Sequence, residues 1–309
     1  TNPRWEAAVL NARTRKSYIN NNCKIGLIGP ESDLTYKYDH ISDNLSHLND
    51  ILAGKSYFTD ILQNAKKPMI IIGTSAINFE GGQDILRICS EIANKYNILN
   101  ETFNGLNILQ QNISRVGSLD IKFYNNSFDQ NWNSSIKKHI DINKPVVFLL
   151  DLDDIDLSIL ENAYVVYIGH HGDEATSVAD AVLPAPAFTE RSSTYVNTEG
   201  RVVQTTKCMH PLGESKEEWK IFRALSNEFN DNLKFNNLGE LRQDIIKEYS
   251  FLKELNILQV SEKINFGKSV QIKDRKVKYN ISNFYMTDSI SRASSTMAIC
   301  TKEILNKVA

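Results

Sequence analysis

Short apolar runs alternate with amphipathic stretches along much of the chain. Four runs, at 24–28, 68–72, 145–150 and 164–168, show no strict alternation of apolar and polar residues, which is typical of strands covered on both faces. Between them apolar residues recur at helical spacing, most clearly at 84–96. Strands that alternate with helices indicate a parallel sheet with helices on both faces. We therefore predict an α/β fold with doubly wound parallel sheets.

The pattern changes after about Pro211. Helical periodicity covers 240–255 and 294–308, and Ser215 and Glu218 have the spacing of a capping box that starts another helix. This part is predicted to be a helical C-terminal extension that covers the α/β core. We expect three domains, namely the end of a first α/β lobe at 1–54, a second α/β lobe at 55–212 and the helical extension at 213–309.

The segment 283–295 is rich in apolar side chains but shows neither helical period nor strand alternation. It contains Phe284, Tyr285, Met286 and Ile290. Burying a large apolar side chain is worth roughly 1.5–3 kcal/mol. We therefore expect these side chains to fill grooves on an α/β lobe, so that packing rather than regular structure orders the segment.

Composition and charge are those of an ordinary globular protein. The chain of 309 residues is 41% hydrophobic and 23% charged, with a formal net charge of −2. No overall field draws it to nucleic acid or to an anionic membrane surface. Its longest apolar runs are far too short to span a bilayer, so we expect any membrane link to be through partner proteins. Because the chain opens without a signal segment and as if in mid-domain, we expect a truncated polypeptide.

The four cysteines are far apart in the sequence. Cys23, Cys89, Cys208 and Cys300 form no Cys-x-x-Cys pair, the spacing that common zinc and iron–sulfur motifs use. We interpret them as reduced, buried thiols and predict no metal site, with disulfides or a metal site as the alternatives.

Candidate chemistry lies where predicted strands end. The glycine turns after 24–28 and 68–72 do not continue as Gly-x-Gly-x-x-Gly, so they are interpreted as plain strand-to-helix turns. Acidic residues cluster after 145–150, and they could cap the next helix or hold Mg²⁺; we favour capping. The cluster comprises Asp151, Asp153, Asp154 and Asp156.

Two adjacent histidines follow the next strand. On an extended chain His170 and His171 would point in opposite directions, so a shared metal is not expected. We interpret them as loop-packing residues, with a general base or a cofactor contact as the alternative.

A longer motif region carries a family resemblance. It reads Gly-His-His-Gly-Asp at 169–173, Ala-Asp-Ala-Val-Leu-Pro at 179–184, then Glu190 and Thr-Tyr-Val-Asn-Thr-Glu-Gly-Arg at 194–201. This order resembles the molybdopterin oxidoreductase superfamily. The particular residues at 169–173 and 194–201 resemble one branch of it, the large (75 kDa-type) iron–sulfur subunit of respiratory complex I. The stretch Asn-Phe-Tyr-Met-Thr-Asp-Ser-Ile-Ser-Arg-Ala-Ser at 283–294 also looks like that subunit.

The resemblance implies a respiratory subunit whose present segment works as a cofactor-free scaffold. Cofactor-binding relatives usually carry Gly-Thr where this chain has Ser193-Thr194, and a serine Cβ hinders close approach of backbone to a ligand. The β-rich C-terminal barrel of the active enzymes is also not apparent. The resemblance places the iron–sulfur clusters in an N-terminal region that this chain lacks.

The same resemblance implies partners, location and residue roles. The partners would be other peripheral-arm subunits of NADH:quinone oxidoreductase, on the cytoplasmic side of a bacterial inner membrane or the matrix side of a mitochondrial one. No catalytic, cofactor-binding or metal residue is predicted. The residues expected to organise the motif loops are His170, His171, Glu190, Asn197 and Arg201. The alternatives are a fragment of an active molybdopterin oxidoreductase and an unrelated Rossmann-type nucleotide enzyme.

Overall fold

The chain forms two compact units in a computed structural model that describes residues 2–79, 81–124, 132–152, 155–258, 266–279, 281 and 283–305. The first unit consists of Thr1–Val116, Thr198–Gly200 and Leu258–Phe284. The second consists of Gly117–Asn197, Arg201–Ile257 and Tyr285–Ala309.

The first unit packs helices against short parallel strands. Its elements are α1 Pro3–Glu6, α2 Ala8–Asn21, β1 Gly26–Ile28, β2 Asp39–Ser42, α3 His47–Ala53, α4 Phe58–Asn64, β3 Ile70–Ile72, a 3-10 turn Thr74–Ala76, α5 Gly82–Lys95, β4 Leu99–Asn100, β5 Phe103–Asn104 and β6 Leu106–Ile108. β1 pairs in parallel with β2, and β3 pairs in parallel with β6. The predicted strands at 24–28 and 68–72 are thus confirmed as β1 and β3.

One face of α5 forms the centre of the first core. Ile85, Ile88, Cys89 and Ile92 are buried on it, and they pack with Ile72 of β3. Their spacing is the helical period seen in the sequence, so the apolar pattern alone located this face. Burial raises the pKa of the Cys89 thiol to about 12. The prediction of buried thiols is thus confirmed for Cys89, but it is wrong for Cys23 and Cys208, which are exposed.

An extended segment of the C-terminal region, residues 266–279, runs along the first unit; we name it the strap. The Asn49 amide of α3 binds the strap twice, donating to the Ile272 carbonyl at 2.8 Å and accepting from the Ile272 N–H at 3.0 Å. Ile272 itself is buried in the first core. Ser269 donates to Glu91 of α5 through its backbone N–H at 2.6 Å and its hydroxyl at 2.8 Å. The strap is therefore held by specific hydrogen bonds as well as by apolar burial.

The second unit is built on a three-stranded parallel sheet. The chain enters it through α6 Arg115–Asp120 and continues with α7 Trp132–Asn143, β7 Val146–Leu150, a 3-10 turn Leu157–Leu160, β8 Tyr164–Gly169, α8 Glu174–Ser177, β9 Ala181–Pro184, β10 Thr194–Val196, β11 Val202–Gln204, α9 Glu218–Glu228, α10 Leu238–Glu248, a 3-10 turn Ser250–Lys253, α11 Ser289–Arg292 and α12 Ser295–Ile304. The strand order is β7-β8-β9. The predicted strands at 145–150 and 164–168 are confirmed, and so is an α/β fold with parallel strands.

The two faces of this sheet are covered differently. On one face Leu149 and Val165 join a buried cluster that includes Ile140 of α7. On the other face Val166 and Ile168 of β8 pack against side chains of α9. Apolar residues on both faces explain why the strands lack polar alternation.

One local prediction about the C-terminal region is wrong, and another holds only in part. Ser215 does not cap α9, because its hydroxyl donates to the Leu212 carbonyl at 2.9 Å and the helix begins after Glu217 without a side-chain cap. The segment 283–295 is irregular only in part: residues 283–288 form no helix or strand, whereas Asp288 forms a capping box that starts α11. Phe284 and Ile290 do not fill a groove, since they remain 41% and 39% exposed, whereas Tyr285 and Met286 are partly buried. A four-residue helix is too short to show a helical period in sequence.

Within the described part of the chain, no helix is both long and apolar enough to cross a bilayer.

Candidate functional site

The C-terminal ends of β7 and β8 bring the two candidate clusters together. Parallel pairing aligns Leu150 with Ile168, and the N–H of Asp151 donates to the Ile168 carbonyl at 2.8 Å. Asp151 has a positive φ of 48°, which turns the chain away from the strand. Asp151 and His170 therefore lie at the same edge of the sheet, where open α/β folds generally bind ligands.

The two histidines contact each other. Nδ1 of His170 lies 2.7 Å from Nδ1 of His171, and the rings are nearly perpendicular. The prediction that these side chains point in opposite directions is wrong, because residues 170 and 171 lie in a bend beyond the end of β8, not in an extended strand. At this distance one Nδ1 must carry the proton and the other must accept it. The hydroxyl of Tyr167 donates to the His171 carbonyl at 3.2 Å and supports the bend.

Arg191 lies between two carboxylates at this edge. Its guanidinium is 2.8 Å from Asp151 Oδ2 and also contacts Glu218 at the first turn of α9. Nε2 of His170 is 4.0 Å from the other oxygen of Asp151. The side chains of Asp151, Arg191 and Glu218 are between 17% and 24% exposed, so their mutual attraction is only partly screened by solvent. The arrangement joins the strand end, the motif loop and α9.

Glu190, the neighbour in sequence, serves a local turn. Its carboxylate is buried and accepts from the Ala187 N–H at 3.1 Å, while its own N–H donates to the Ala187 carbonyl at 2.9 Å. A buried carboxylate costs free energy unless it is hydrogen-bonded, so this contact closes the loop after β9.

Asn197 and Arg201 hold a hairpin. β10 and β11 pair antiparallel, and Asn197 Oδ1 accepts from the Arg201 N–H at 3.0 Å. Gly200 has a φ of 84°, a conformation that glycine adopts without steric cost. The Arg201 guanidinium donates to the Asn256 carbonyl. The predicted hairpin is confirmed, and its arginine also fixes a segment after α10.

Three partners in this region were missed in the sequence. Arg191 binds both Asp151 and Glu218. Arg292 of α11 binds Asp173 through Nε and Nη2, each at 2.8 Å. Arg191 directly follows Glu190 in the motif, so its position was a usable signal. Arg292 is 119 residues from Asp173, and no local pattern links them.

Of the other acidic residues predicted near the end of β7, only Asp156 lies within the described part of the chain. Asp156 accepts from the Ser158 N–H at 3.1 Å at the start of a 3-10 turn, as expected of a capping residue. Hydrogen bonds from Ser158, through its side chain and its backbone, hold the pKa of Asp156 below its usual value. Asp153 and Asp154 lie outside the described residues.

The sheet edge does not fit a pterin cofactor. The guanidinium of Arg191, a cation at this edge that could otherwise bind a phosphate, is already paired with two carboxylates. The backbone of Ser193 is engaged as well, since its N–H donates to Thr205 Oγ1 at 3.0 Å and its carbonyl accepts from the Thr205 N–H at 2.9 Å. Among the described residues, no group of three or more His, Cys, Asp or Glu side chains is arranged to hold a metal ion.

Two family models match the sequence. Residues 1–228 match the molybdopterin oxidoreductase family, and residues 248–300 match the C-terminal domain of the G-type subunit of NADH-ubiquinone oxidoreductase. The first match includes the histidine pair, Glu190 and the hairpin, and the second includes the strap and α11.

Individual relatives agree with these matches. The chain is 37% identical to the mitochondrial NADH-ubiquinone oxidoreductase 78 kDa subunit of Candida albicans, over 97% of the chain and 42% of the relative. It is 35% identical to the 75 kDa subunit of Reclinomonas americana, over 97% of the chain and 43% of the relative. It is also 35% identical to the mitochondrial NADH dehydrogenase [ubiquinone] iron-sulfur protein 1 of Solanum tuberosum, over 97% and 40%.

The chain thus spans about two-fifths of the length of these relatives. Its match to the molybdopterin oxidoreductase family covers residues 1–228 of 309, and its parallel α/β units are consistent with that assignment. The chain belongs to the molybdopterin oxidoreductase family, in the branch that resembles the 75/78 kDa subunit of NADH-ubiquinone oxidoreductase.

Proposed function

We propose that the chain is the C-terminal part of the large iron–sulfur subunit of a proton-pumping NADH:quinone oxidoreductase, respiratory complex I. The observation that carries this proposal is the similarity over 97% of the chain to relatives named as that subunit. The match of 248–300 to the C-terminal domain of the G-type subunit supports it, because it extends beyond the fold shared with the wider family.

Within that complex the segment acts as a scaffold that carries no redox centre. The polar groups at the sheet edge support this role, because Asp151, Arg191 and Glu218 bind one another and His170 contacts His171. Glu190, Asn197 and Arg201 organise loops in the same way. Iron–sulfur clusters belong to the N-terminal region of the subunit, which the present residues do not include.

We further propose that the parallel strands are parts of doubly wound sheets. These sheets form lobes at 1–54 and 55–212, and a helical extension follows at 213–309. The other peripheral-arm subunits are the partners. They provide the only link to the membrane, on the cytoplasmic side in a bacterium or the matrix side in a mitochondrion.

The proposal is tested by isolating the protein from its native cells through a C-terminal affinity tag. The tagged chain should co-purify with NADH:quinone reductase activity, and the assembly should contain iron but no stoichiometric molybdenum. Purification free of other NADH dehydrogenase subunits would refute the proposal.

The same preparation tests the competing functions. Molybdenum at about one atom per chain would instead identify an active molybdopterin oxidoreductase, because Mo is the metal of that cofactor. A rise in thermal stability on adding a nucleotide to the isolated chain would favour a nucleotide enzyme, since ligands stabilise the state they bind.

A further inference from the structure

The strap contacts the first unit at every third residue from 266 to 275. The four residues with this spacing, which bond to α3, α5 or the turn before α3, are Phe266, Ser269, Ile272 and Arg275. The Arg275 N–H donates to Asn44 Oδ1 at 2.8 Å, and the Arg275 carbonyl accepts from the Leu45 N–H at 2.9 Å. Residues three apart share one side of an extended chain that turns once every three residues. One side of the strap is therefore fixed on the first unit, and the residues between these contacts are exposed.

The exposed side of the strap is basic. Residues 266–279 contain five cationic side chains and one carboxylate, Asp274, in a chain whose formal net charge is −2. One of the cations is used within the first unit, since the Arg275 guanidinium lies over the ring of Phe79, 3.8 Å from its centroid. The other four are exposed lysines, which we name the strap lysines: Lys268, Lys273, Lys276 and Lys278. Positive charge is thus concentrated on one segment of a chain that is slightly acidic overall.

The strap lysines are poorly neutralised by their own chain. Nζ of Lys276 lies 3.8 Å from Asp43 Oδ2, but the lysine side chain remains 76% exposed, so solvent screens this pair strongly. Asp43 is also shared with His40, whose Nε2 is 3.1 Å from its other oxygen. Among the residues that the structure describes, no carboxylate lies within ion-pair distance of Lys273 or Lys278. Positive charge on a fixed backbone without an internal partner is suited to an opposing carboxylate surface.

We infer that the strap lysines bind an acidic surface of a partner protein in the native assembly. An extended chain from Lys268 to Lys278 spans roughly 30 Å. This span is about the width of a standard protein–protein interface, which buries ~800 Å² of each partner. Because hydrogen bonds already fix the strap, little backbone ordering remains to oppose binding. Facing charges of opposite sign speed association and fix the register of the two surfaces.

The chemistry of the strap fits a protein better than a lipid surface or a nucleic acid. Basic segments that bind membranes carry large apolar side chains that enter the bilayer, and single-stranded nucleic acids are bound with stacked aromatic side chains. The strap instead buries Ile272 in the first core, and Val277 and Tyr279 are partly buried. Within the strap, all of which the structure describes, Val270 is the only exposed large apolar side chain. The net charge of the chain adds no long-range attraction for a polyanion.

Lysine labelling tests the contact directly. Acetylation of each strap lysine by an N-hydroxysuccinimide ester is measured by mass spectrometry in the isolated chain and in the assembly purified from native cells. We expect Lys273 and Lys278 to react at least about fivefold more slowly in the assembly, because a protein contact excludes solvent and reagent. A carbodiimide, which joins an amine to a carboxylate, should link them to an Asp or Glu side chain of a different polypeptide. Equal labelling in the two samples, or links only to carboxylates of this chain, would overturn the inference.

Two matched charge reversals test the role of the lysines. Lys273→Glu with Lys278→Glu reverses the charge of the strap, whereas Lys24→Glu with Lys66→Glu makes the same change in net charge at exposed lysines elsewhere in the first unit. Both isolated chains should keep the wild-type unfolding midpoint in urea, because all four side chains are exposed. Recovery of the assembly at low salt should fall roughly fivefold for the strap variant only, and the difference should shrink at high salt. Equal recovery of the two variants would count against the inference.

Three further outcomes are decisive. Should the reversal disturb the strap itself, seen as faster exchange of the Ile272 amide, the neutral pair Lys273→Gln and Lys278→Gln takes its place and should still lower recovery at least about twofold. Changing the cross-linked carboxylate of the partner to lysine should restore recovery with the reversed strap. If the isolated chain instead bound phosphatidylserine vesicles or RNA through the strap lysines, the inference of a protein partner would be wrong.

The inference is separable from the proposed function. Protection of the strap lysines in an assembly without NADH dehydrogenase subunits would support the inference and refute the function. Strap lysines that label fully in an active NADH:quinone oxidoreductase would refute the inference alone. A chain that purifies without any partner would refute both.

Discussion

Replacing Asn49 by alanine should release the strap from the first unit. The Asn49 amide satisfies both backbone groups of Ile272, with donor–acceptor distances of 2.8 and 3.0 Å. Ile272 is 8% exposed, but an open cavity lined by Asn49 and Ile272 adjoins these groups, so water can replace part of the hydrogen bonding of the amide. Leaving a buried donor or acceptor unpaired costs roughly 1–3 kcal/mol per group. Alanine returns about 0.5 kcal/mol through its higher helix propensity in α3. Two such groups would cost roughly 2–6 kcal/mol if left fully unpaired, and partial replacement by water places the expected net loss in the lower part of this range, at about 2–4 kcal/mol.

The loss should appear mainly as local opening. The exchange rate of the Ile272 amide should rise at least about 30-fold, which corresponds to 2 kcal/mol. Urea unfolding followed by circular dichroism gives the accompanying loss of global stability. The other strap contacts, including those of Ser269 with Glu91, should keep part of the segment in place.

The chain provides a control for Asn49→Ala. Asn64 lies in α4, is exposed, and its amide donates to the Asp60 carbonyl at 2.8 Å. Asn64→Ala brings the same gain in helix propensity but leaves no buried group unpaired. If Asn49→Ala changed Ile272 exchange and stability no more than Asn64→Ala does, the hydrogen bonds to the strap would not be stabilising it.

Other predictions address the core, the site and two titratable groups. Ile88→Ala should destabilise the first unit by about 2–5 kcal/mol in urea unfolding, because Ile88 is fully buried, and little change would mean that the core collapses around the gap. Arg191→Met should lower the free energy of unfolding by about 1–3 kcal/mol, because Asp151 and Glu218 lose a shared partner. A double-mutant cycle with Asp151→Asn measures the interaction energy between Arg191 and Asp151. The hydrogen bond from the Ser269 backbone, and after it the one from the Ser269 side chain, lower the pKa of Glu91. Ionised Glu91 therefore stabilises the fold above the unfolded carboxyl pKa of about 4.3, and this stabilisation is lost as pH falls below that value. Glu91→Gln should therefore reduce the drop in urea midpoint between neutral pH and about pH 3.5, and an unchanged drop would contradict this origin. Cys89, whose pKa burial raises to about 12, should react with a thiol reagent only on unfolding, whereas the exposed Cys23 and Cys208 should react in the folded chain.

Local patterns predicted the elements well where one segment carries the whole signal. Helix α5 was predictable because four apolar residues share one helical face. Strands β7 and β8 were predictable because a continuous apolar run of this length is typical of a buried strand. The hairpin around Gly200 was predicted for the same reason, since the turn and both strands are contiguous.

Predictions failed where a residue had more than one available partner. The capping-box spacing of Ser215 and Glu218 is genuine, but Ser215 turns back to Leu212 and Glu218 binds Arg191. The histidine pair was placed as if the strand continued, whereas the bend after β8 brings the two rings together. Alternation along an extended chain does not apply beyond the strand end.

The sequence by itself determined the alternation of strands and helices, the apolar face of α5 and the family motifs, because these depend on neighbouring residues. Only the tertiary structure decided that Asp151, His170 and Arg191 meet at one sheet edge, that Asn49 holds the strap, and that Arg292 binds Asp173. Those contacts join segments up to 223 residues apart. The free energy of such a contact depends on where the intervening chain places its two partners, and no local pattern records that distance.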